Sequence, residues 1–264
     1  MSSPSQFLVQ VLASPSQCLF VFAIWCVWRC HCVVPVRMDR MPNGVAVYSL
    51  RCGAQAAGMI LTDSIARCGP PSYVNILPAV LQRIYAITGY SLIGVYAGGA
   101  GICPYRSEKS YMKLLTLALR YMGVERVKYI LCVSGGNDLY YPAWRGEYPA
   151  ALNGGALALG LALREAAEFS MVVLGGGSGL WGYDTHGDWD SSLYDFFVLR
   201  CLAMFVFCVD VVRPGCAELR GIRVCDRIGH VHEDSQDMLI TAFVEWVLLL
   251  LRVRLSRQVY LSRL

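Results

Sequence analysis

The chain has 264 residues, of which 56% are apolar and 16% charged, with a net charge of +4. That length buries a large core without covalent staples, and so small a positive excess, scattered except at the C-terminus, excludes a nucleic-acid-binding stripe. The twelve cysteines are spread along the chain and sit largely in apolar runs, as at Cys132, Cys201 and Cys208, which suits buried thiols in a reducing compartment better than a disulfide framework. The high apolar fraction implies strands buried on both faces, as in a parallel sheet, together with membrane-touching ends.

Residues 1 to 17 are polar and rich in Ser and Pro. Cys18 to Trp28 is an apolar run of eleven, short of the roughly 20 needed to span a bilayer, and no basic segment precedes it as in a signal peptide. Cys26, Cys30, His31 and Cys32 could hold a metal, but no second Cys/His cluster completes a site. Acylated or simply apolar cysteines are the better reading, and no metal is expected. Arg37 to Asn43 reads as a linker, and residues 1–44 as an extension, disordered or membrane-touching. Val45 to Leu50 alternates loosely, like an extra strand.

From Met59 the pattern becomes repetitive. Met59 to Leu61 is a short buried strand that hands over to Thr62, Asp63 and Ser64. Ile76, Leu77, Val80, Leu81, Ile84 and Ile87 recur at helical spacing, and Gly89 closes that helix. Ser91 to Ala97 is a strand running into Gly98–Gly101. Tyr111, Leu114, Leu115, Ala118 and Met122 mark a second helix, closed by Gly123. Val127 to Ser134 is a third strand, ending in Gly135, Gly136, Asn137 and Asp138. Ala150 to Phe169 reads as a helix and Met171 to Leu174 as a strand. A helix over Asp190 to Ala203 and a strand over Phe205 to Val212 come next. The last helix starts near Ser235, where serine is a good N-cap, and runs through Leu251 with a basic tail at 253–264.

Strands alternating with helices at this spacing predict right-handed βαβ units. The expected fold is α/β: a three-layer α/β/α, doubly wound, flavodoxin-like parallel sheet of about five strands over residues 45–252. Ligands of such sheets bind at the carboxyl edge. Ser64, Gly101, Asn137 and the cluster Asp226, His230 and His232 all fall where strands end. A hydroxyl, an imidazole base, a carboxylate to orient it and N–H donors for an oxyanion are the parts of a hydrolytic serine site.

These blocks resemble the SGNH (GDSL-type) hydrolases. Asp63-Ser64-Ile65-Ala66-Arg67 is similar to that family's GDSITR block. The turn from Tyr96 to Gly101 resembles the second block, whose last glycine donates an N–H. Gly135-Gly136-Asn137-Asp138 matches GxND, and Asp226 with the histidines resembles DxxH. The resemblance covers about residues 59 to 251. It implies an ester hydrolase in which Ser64 is the nucleophile, His230 the base and Asp226 its orienter, with Gly101 and Asn137 in the oxyanion hole and no cofactor. Its substrate would be a small-molecule, lipid or carbohydrate ester.

Two positions depart from the family. Thr62 stands where it has glycine, so the nucleophile turn must be either strained or of ordinary geometry. Asp226 and His230 are one residue further apart than DxxH, and His232 is the alternative base. Neither fault is neutral: an inactive relative that only binds, and a carbohydrate acyltransferase or deacetylase, remain alternatives. Asn137 and Asp138 could equally shape a turn. Gly98–Gly101 and Gly175–Gly179 lack the lysine of a phosphate loop. Trp181 and Tyr183 are candidate pocket walls, and Asp184, His186, Asp188 and Asp190 read as a solvated acidic loop rather than a cation site. The last helix is apolar nearly all round and is followed by arginines, which suggests weak contact with anionic lipid. A cytoplasmic or membrane-associated location is expected rather than a secreted one.

Overall fold

The computed structural model describes residues 34–53, 55–69, 73–102, 109–134, 137, 148–174, 208–210 and 231–261. The chain divides into two compact units, Met1–Pro35 and Val36–Leu264. Only residues 34 and 35 of the first are described, so the readings of the Cys18–Cys32 run lie outside the described residues.

The second unit is built on a seven-stranded sheet. In chain order its strands are β1 (Val36–Arg40), β2 (Ala46–Leu50), β3 (Gly58–Thr62), β4 (Leu92–Tyr96), β5 (Val127–Ser134), β6 (Ala167–Leu174) and β7 (Cys208–Asp210). Across the sheet they run β1-β2-β4-β3-β5-β6-β7. The five from β3 onward are mutually parallel, and their order is that of a flavodoxin-like sheet, with the switch point between β3 and β5. The α/β class and the parallel core therefore stand as expected.

The helices are α1 (Leu77–Thr88), α2 (Tyr111–Met122), α3 (Tyr148–Ala166) and α4 (Gln236–Leu261). Side chains alternate faces along each strand. Met59, Leu61, Ile93, Val95, Ile130 and Cys132 pack into one core with Tyr111, Leu114 and Ala118 of α2 and Ala156, Leu159 and Leu163 of α3. On the opposite face α1 lies over β2 and β4, and α4 over β5 and β6. The central strand β3 thus runs beneath the seam between α1 and α4, and the sheet is covered on both sides. Gly89 and Gly123 cap α1 and α2 with positive φ, 73° and 66°, as their sequence positions require.

Three sequence expectations are corrected. Arg37 to Asn43 is no linker: Val36–Arg40 is an edge strand antiparallel to β2, which is itself antiparallel to β4. The turn between them places Asn43 at φ 64° and Gly44 at φ 73°, and Asn-Gly is the pair that tolerates two such residues most cheaply. The edge strand is pinned to α2 by the Tyr121 hydroxyl, which donates to Asp39 Oδ2 (2.5 Å). That bond, with Arg37 beside it, holds the Asp39 carboxyl below its ordinary range. The sheet therefore begins at Val36 rather than Val45.

The helix read over Ala150 to Phe169 ends at Ala166, and Ala167–Phe169 already belongs to β6. Pairing of Ala167 with Val127 and of Phe169 with Tyr129, with the two rings stacked at 5.9 Å, outweighs the helical run of alanines. Finally, α4 continues to Leu261 instead of stopping at Leu251. It is not buried all round, for Asp237, Met238, Thr241, Glu245 and Arg252 form a solvent stripe, and Asp237 pairs with Arg83 of α1 at 3.0 Å. No helix among the described residues is long and apolar enough to cross a membrane.

Gly58 at the start of β3 meets β5 closely. A Cβ there would lie 2.1 Å from the Tyr129 carbonyl oxygen, a backbone atom that cannot swing aside. Gly58→Ala is expected to lower the stability by at least about 1–3 kcal/mol. A urea titration reads this as a lower midpoint at constant slope; an unchanged midpoint would show that β3 and β5 can part without cost.

Candidate active site

One row of paired residues crosses the sheet at its carboxyl edge: Arg40, Ala46, Tyr96, Thr62, Val133, Val173 and Val209. The candidate site lies just beyond this row, where the chain leaves the parallel strands. Asp63 and Ser64 come after Thr62, the Gly98–Gly101 turn after Tyr96, and Asn137 after Val133. Residues far apart in sequence meet here because parallel strands all end on one side.

Thr62 is fully buried in β3. Asp63 is extended (φ −104°, ψ −154°), and Ser64–Ala66 form a short 3-10 turn. The nucleophile turn is therefore of ordinary geometry, and the missing glycine costs no backbone strain. Its cost lies in the side chain: Thr62 Oγ1 is buried with no hydrogen-bond partner. Ser64 opens the turn half-buried, and among the described residues nothing bonds to its hydroxyl.

Asp63, only 2% exposed, is the hub. Its Oδ1 accepts from the Ile65 N–H at 2.9 Å, which caps the turn carrying Ser64. Its Oδ2 accepts from Asn137 Nδ2 at 2.9 Å. The same Asn137 nitrogen donates to the Ala100 carbonyl at 2.8 Å, so both amide hydrogens already have acceptors. The carboxylate thus ties the serine turn to Asn137 and, through Ala100, to the glycine turn.

Gly101 is buried and bridged to Ser110. Its N–H points at the Lys109 carbonyl over a long 3.4 Å, and its own carbonyl accepts from Tyr111 (3.0 Å). Lys109 Nζ reaches back to the Gly98 carbonyl at 3.1 Å.

From the last block, Val231 is buried and its carbonyl accepts from Gly69 N–H at 2.8 Å. This docks the chain between the two histidines onto the loop that leaves Ser64. His232 is the N-cap of a 3-10 turn, Glu233–Ser235, that leads into α4. Ser235 stands directly before α4, which begins at Gln236 as the sequence expected of the last helix, and its N–H donates to the His232 carbonyl (2.9 Å). His232 Nδ1 accepts from the Asp234 N–H at 3.2 Å and lies equally far from Asp234 Oδ2. His230 and Asp226 lie outside the described residues, as do Trp181, Tyr183 and the Asp184–Asp190 run. No metal-binding group of three His, Cys, Asp or Glu occurs among the described residues.

Sequence reasoning passed over Tyr96, Tyr73 and Arg67 as site residues, although Arg67 belongs to the serine block. The Tyr96 hydroxyl is pushed above its ordinary value chiefly by burial, while the nearby Arg67 pulls the other way. Tyr48 behaves alike: burial raises it, and Arg40 and Arg67 oppose.

No protein-family model matches the chain, and no curated protein does. Solved structures give distant likenesses. An acetylxylan esterase from Geobacillus stearothermophilus is 13% identical with a TM-score of 0.47, the match covering 74% of this chain and 95% of that one. A Bacillus subtilis protein is 12% identical, with a TM-score of 0.45 over 73% of this chain and 56% of its own. A carboxyl esterase from Tuber melanosporum is 8% identical, with a TM-score of 0.35 over 81% and 85%.

Replacing Thr62 by valine removes the unpartnered hydroxyl while keeping the branched shape. Thr62→Val is expected to raise stability by about 1 kcal/mol, measured by chemical denaturation. A loss instead would mean that the hydroxyl has a partner in solution, such as a bound water.

Proposed function

We propose that the protein is a serine ester hydrolase of the SGNH type. Ser64 Oγ attacks the acyl carbonyl while His230 takes its proton, and Asp226 orients the imidazole and stabilises its charged form. The oxyanion of the tetrahedral intermediate is held by the N–H groups of Ser64 and Gly101 and by the Asn137 amide. Collapse expels the alcohol, protonated by His230, and water repeats the sequence on the acyl-enzyme.

The observation that carries this reading is the buried bond from Asn137 to Asp63, which ties the asparagine to the residue next to Ser64 at the carboxyl edge of the sheet. The docking of Val231 against Gly69 supports it by drawing the histidine segment to the same loop. His230 is preferred because the last helix begins a few residues after it, as in the family's last block; His232, whose Nδ1 lies 3.2 Å from both the Asp234 nitrogen and Asp234 Oδ2, is the alternative base.

A second reading, a non-catalytic binding module, draws on the same amide. Both hydrogens of Asn137 are engaged internally, so oxyanion donation requires that one be shared or exchanged. The two readings separate by labelling. An active protein forms a covalent adduct with a fluorophosphonate probe, and Ser64→Ala does not; an unlabelled, folded wild type supports the binding module. For the enzyme, Asn137→Ala is expected to lower kcat by about 10²–10³, measured on a 4-nitrophenyl ester. Full activity in that variant would remove Asn137 from the oxyanion hole.

A further inference from the structure

We propose that Arg67, held by Tyr73, is an anion-binding subsite of this centre, so that the preferred ester carries a carboxylate. The inference rests on the hydrolase reading for its location and on separate geometry for its chemistry.

Arg67 is three residues beyond Ser64 and closes the same turn, its N–H donating to the Ser64 carbonyl at 3.0 Å. The segment then folds back on itself. Arg67 bridges Asn75, and Cys68 N–H donates to the Val74 carbonyl at 2.9 Å. On this hairpin the guanidinium is fixed by Tyr73. Nε donates to the Tyr73 carbonyl at 3.1 Å, and the guanidinium carbon stands 4.8 Å from the centre of the Tyr73 ring.

These contacts orient the cation without neutralising it. Among the described residues no carboxylate lies within ion-pairing distance of Arg67, whereas Arg37 and Arg83 each have one. A guanidinium carries five N–H donors in a planar fork suited to carboxylates. The bond from Nε to Tyr73 uses one, and the side chain remains exposed.

Tyr73 adds a second indication. Its φ is +48°, a conformation that a bulky residue rarely adopts and that costs of order 1 kcal/mol or more. Yet its ring is 49% exposed, so no core packing repays the strain. What the conformation accomplishes is to present the ring beneath Arg67 and the carbonyl to its Nε. Arg40 stands at the same sheet edge, in the cross-strand row that includes Tyr96, and adds to the positive potential felt at Tyr48. An ester with a carboxylate on its acyl chain or on its alcohol satisfies the free edge of Arg67 while its carbonyl meets Ser64.

The test compares charged and neutral esters of matched size. On the acyl side these are mono-4-nitrophenyl glutarate and 4-nitrophenyl pentanoate; on the alcohol side, 4-acetoxybenzoate and phenyl acetate. The wild type is expected to favour the charged member of at least one pair, and Arg67→Met to reduce that kcat/KM ratio about tenfold or more. Arg67→Lys, which keeps the charge but loses the fork, should recover part of it and guards against a folding defect. The pair that responds tells acyl-side from alcohol-side recognition. Ratios unchanged by either substitution in both pairs overturn the subsite. If the wild type hydrolyses none of the four, the hydrolase reading fails, and calorimetry on Ser64→Ala with mono-4-nitrophenyl glutarate and 4-acetoxybenzoate decides the subsite alone. Binding of either that Arg67→Met abolishes upholds it; no binding, or binding that persists, overturns it.

Discussion

A carboxylate taken out of water must find donors or become very costly, and Asp63 finds them on two separate parts of the chain. One is the N–H of Ile65, two residues on; the other is the amide of Asn137, 74 residues away. The demand of one buried charge thereby sets the pitch of the serine turn and the position of Asn137 together. Through Ala100 the same amide also fixes the glycine turn. Loss of any of these partners leaves a buried polar group unsatisfied, which generally costs more than the bond itself gained. The junction is therefore both the structural clasp of the sheet edge and the frame on which chemistry would depend.

The sheet makes that junction possible. Parallel strands place all their carboxyl ends on one side, and the order β4-β3-β5 leaves a crevice where the connections diverge to opposite faces. β3, which Asp63 follows, is buried along its whole length between β4 and β5. The antiparallel pair β1 and β2 widens the sheet beyond β4, and it brings Arg40 into the cross-strand row of Tyr96.

Much of this was legible from the residues. The alternation of short apolar runs with 3.6-period segments announced the parallel core, and the glycines after α1 and α2 marked their ends to the residue. The β5 strand had the bounds its apolar run suggested. The blocks around Ser64, Gly101 and Asn137 were recognisable because each pairs a strand end with small polar residues. Less visible were features whose energy comes from partners elsewhere. Val36–Arg40 has too many charges to read as a strand, and only its pairing with β2 and the Tyr121–Asp39 bond make it one. The first residues of β6 prefer helix locally and yield to β5.

The sequence alone determined the class of fold, the order of its elements and the chemical types gathered at the strand ends, because periodicity, capping and strand length are local properties. Tertiary structure decided which of those groups meet. Asp63 as the hub, the docking of Val231 on Gly69 and the unpartnered hydroxyl of Thr62 all depend on contacts between segments that no local pattern encodes. A side chain's burial and hydrogen bonds are fixed by neighbours distant along the chain, and those neighbours are specified only once the sheet has closed.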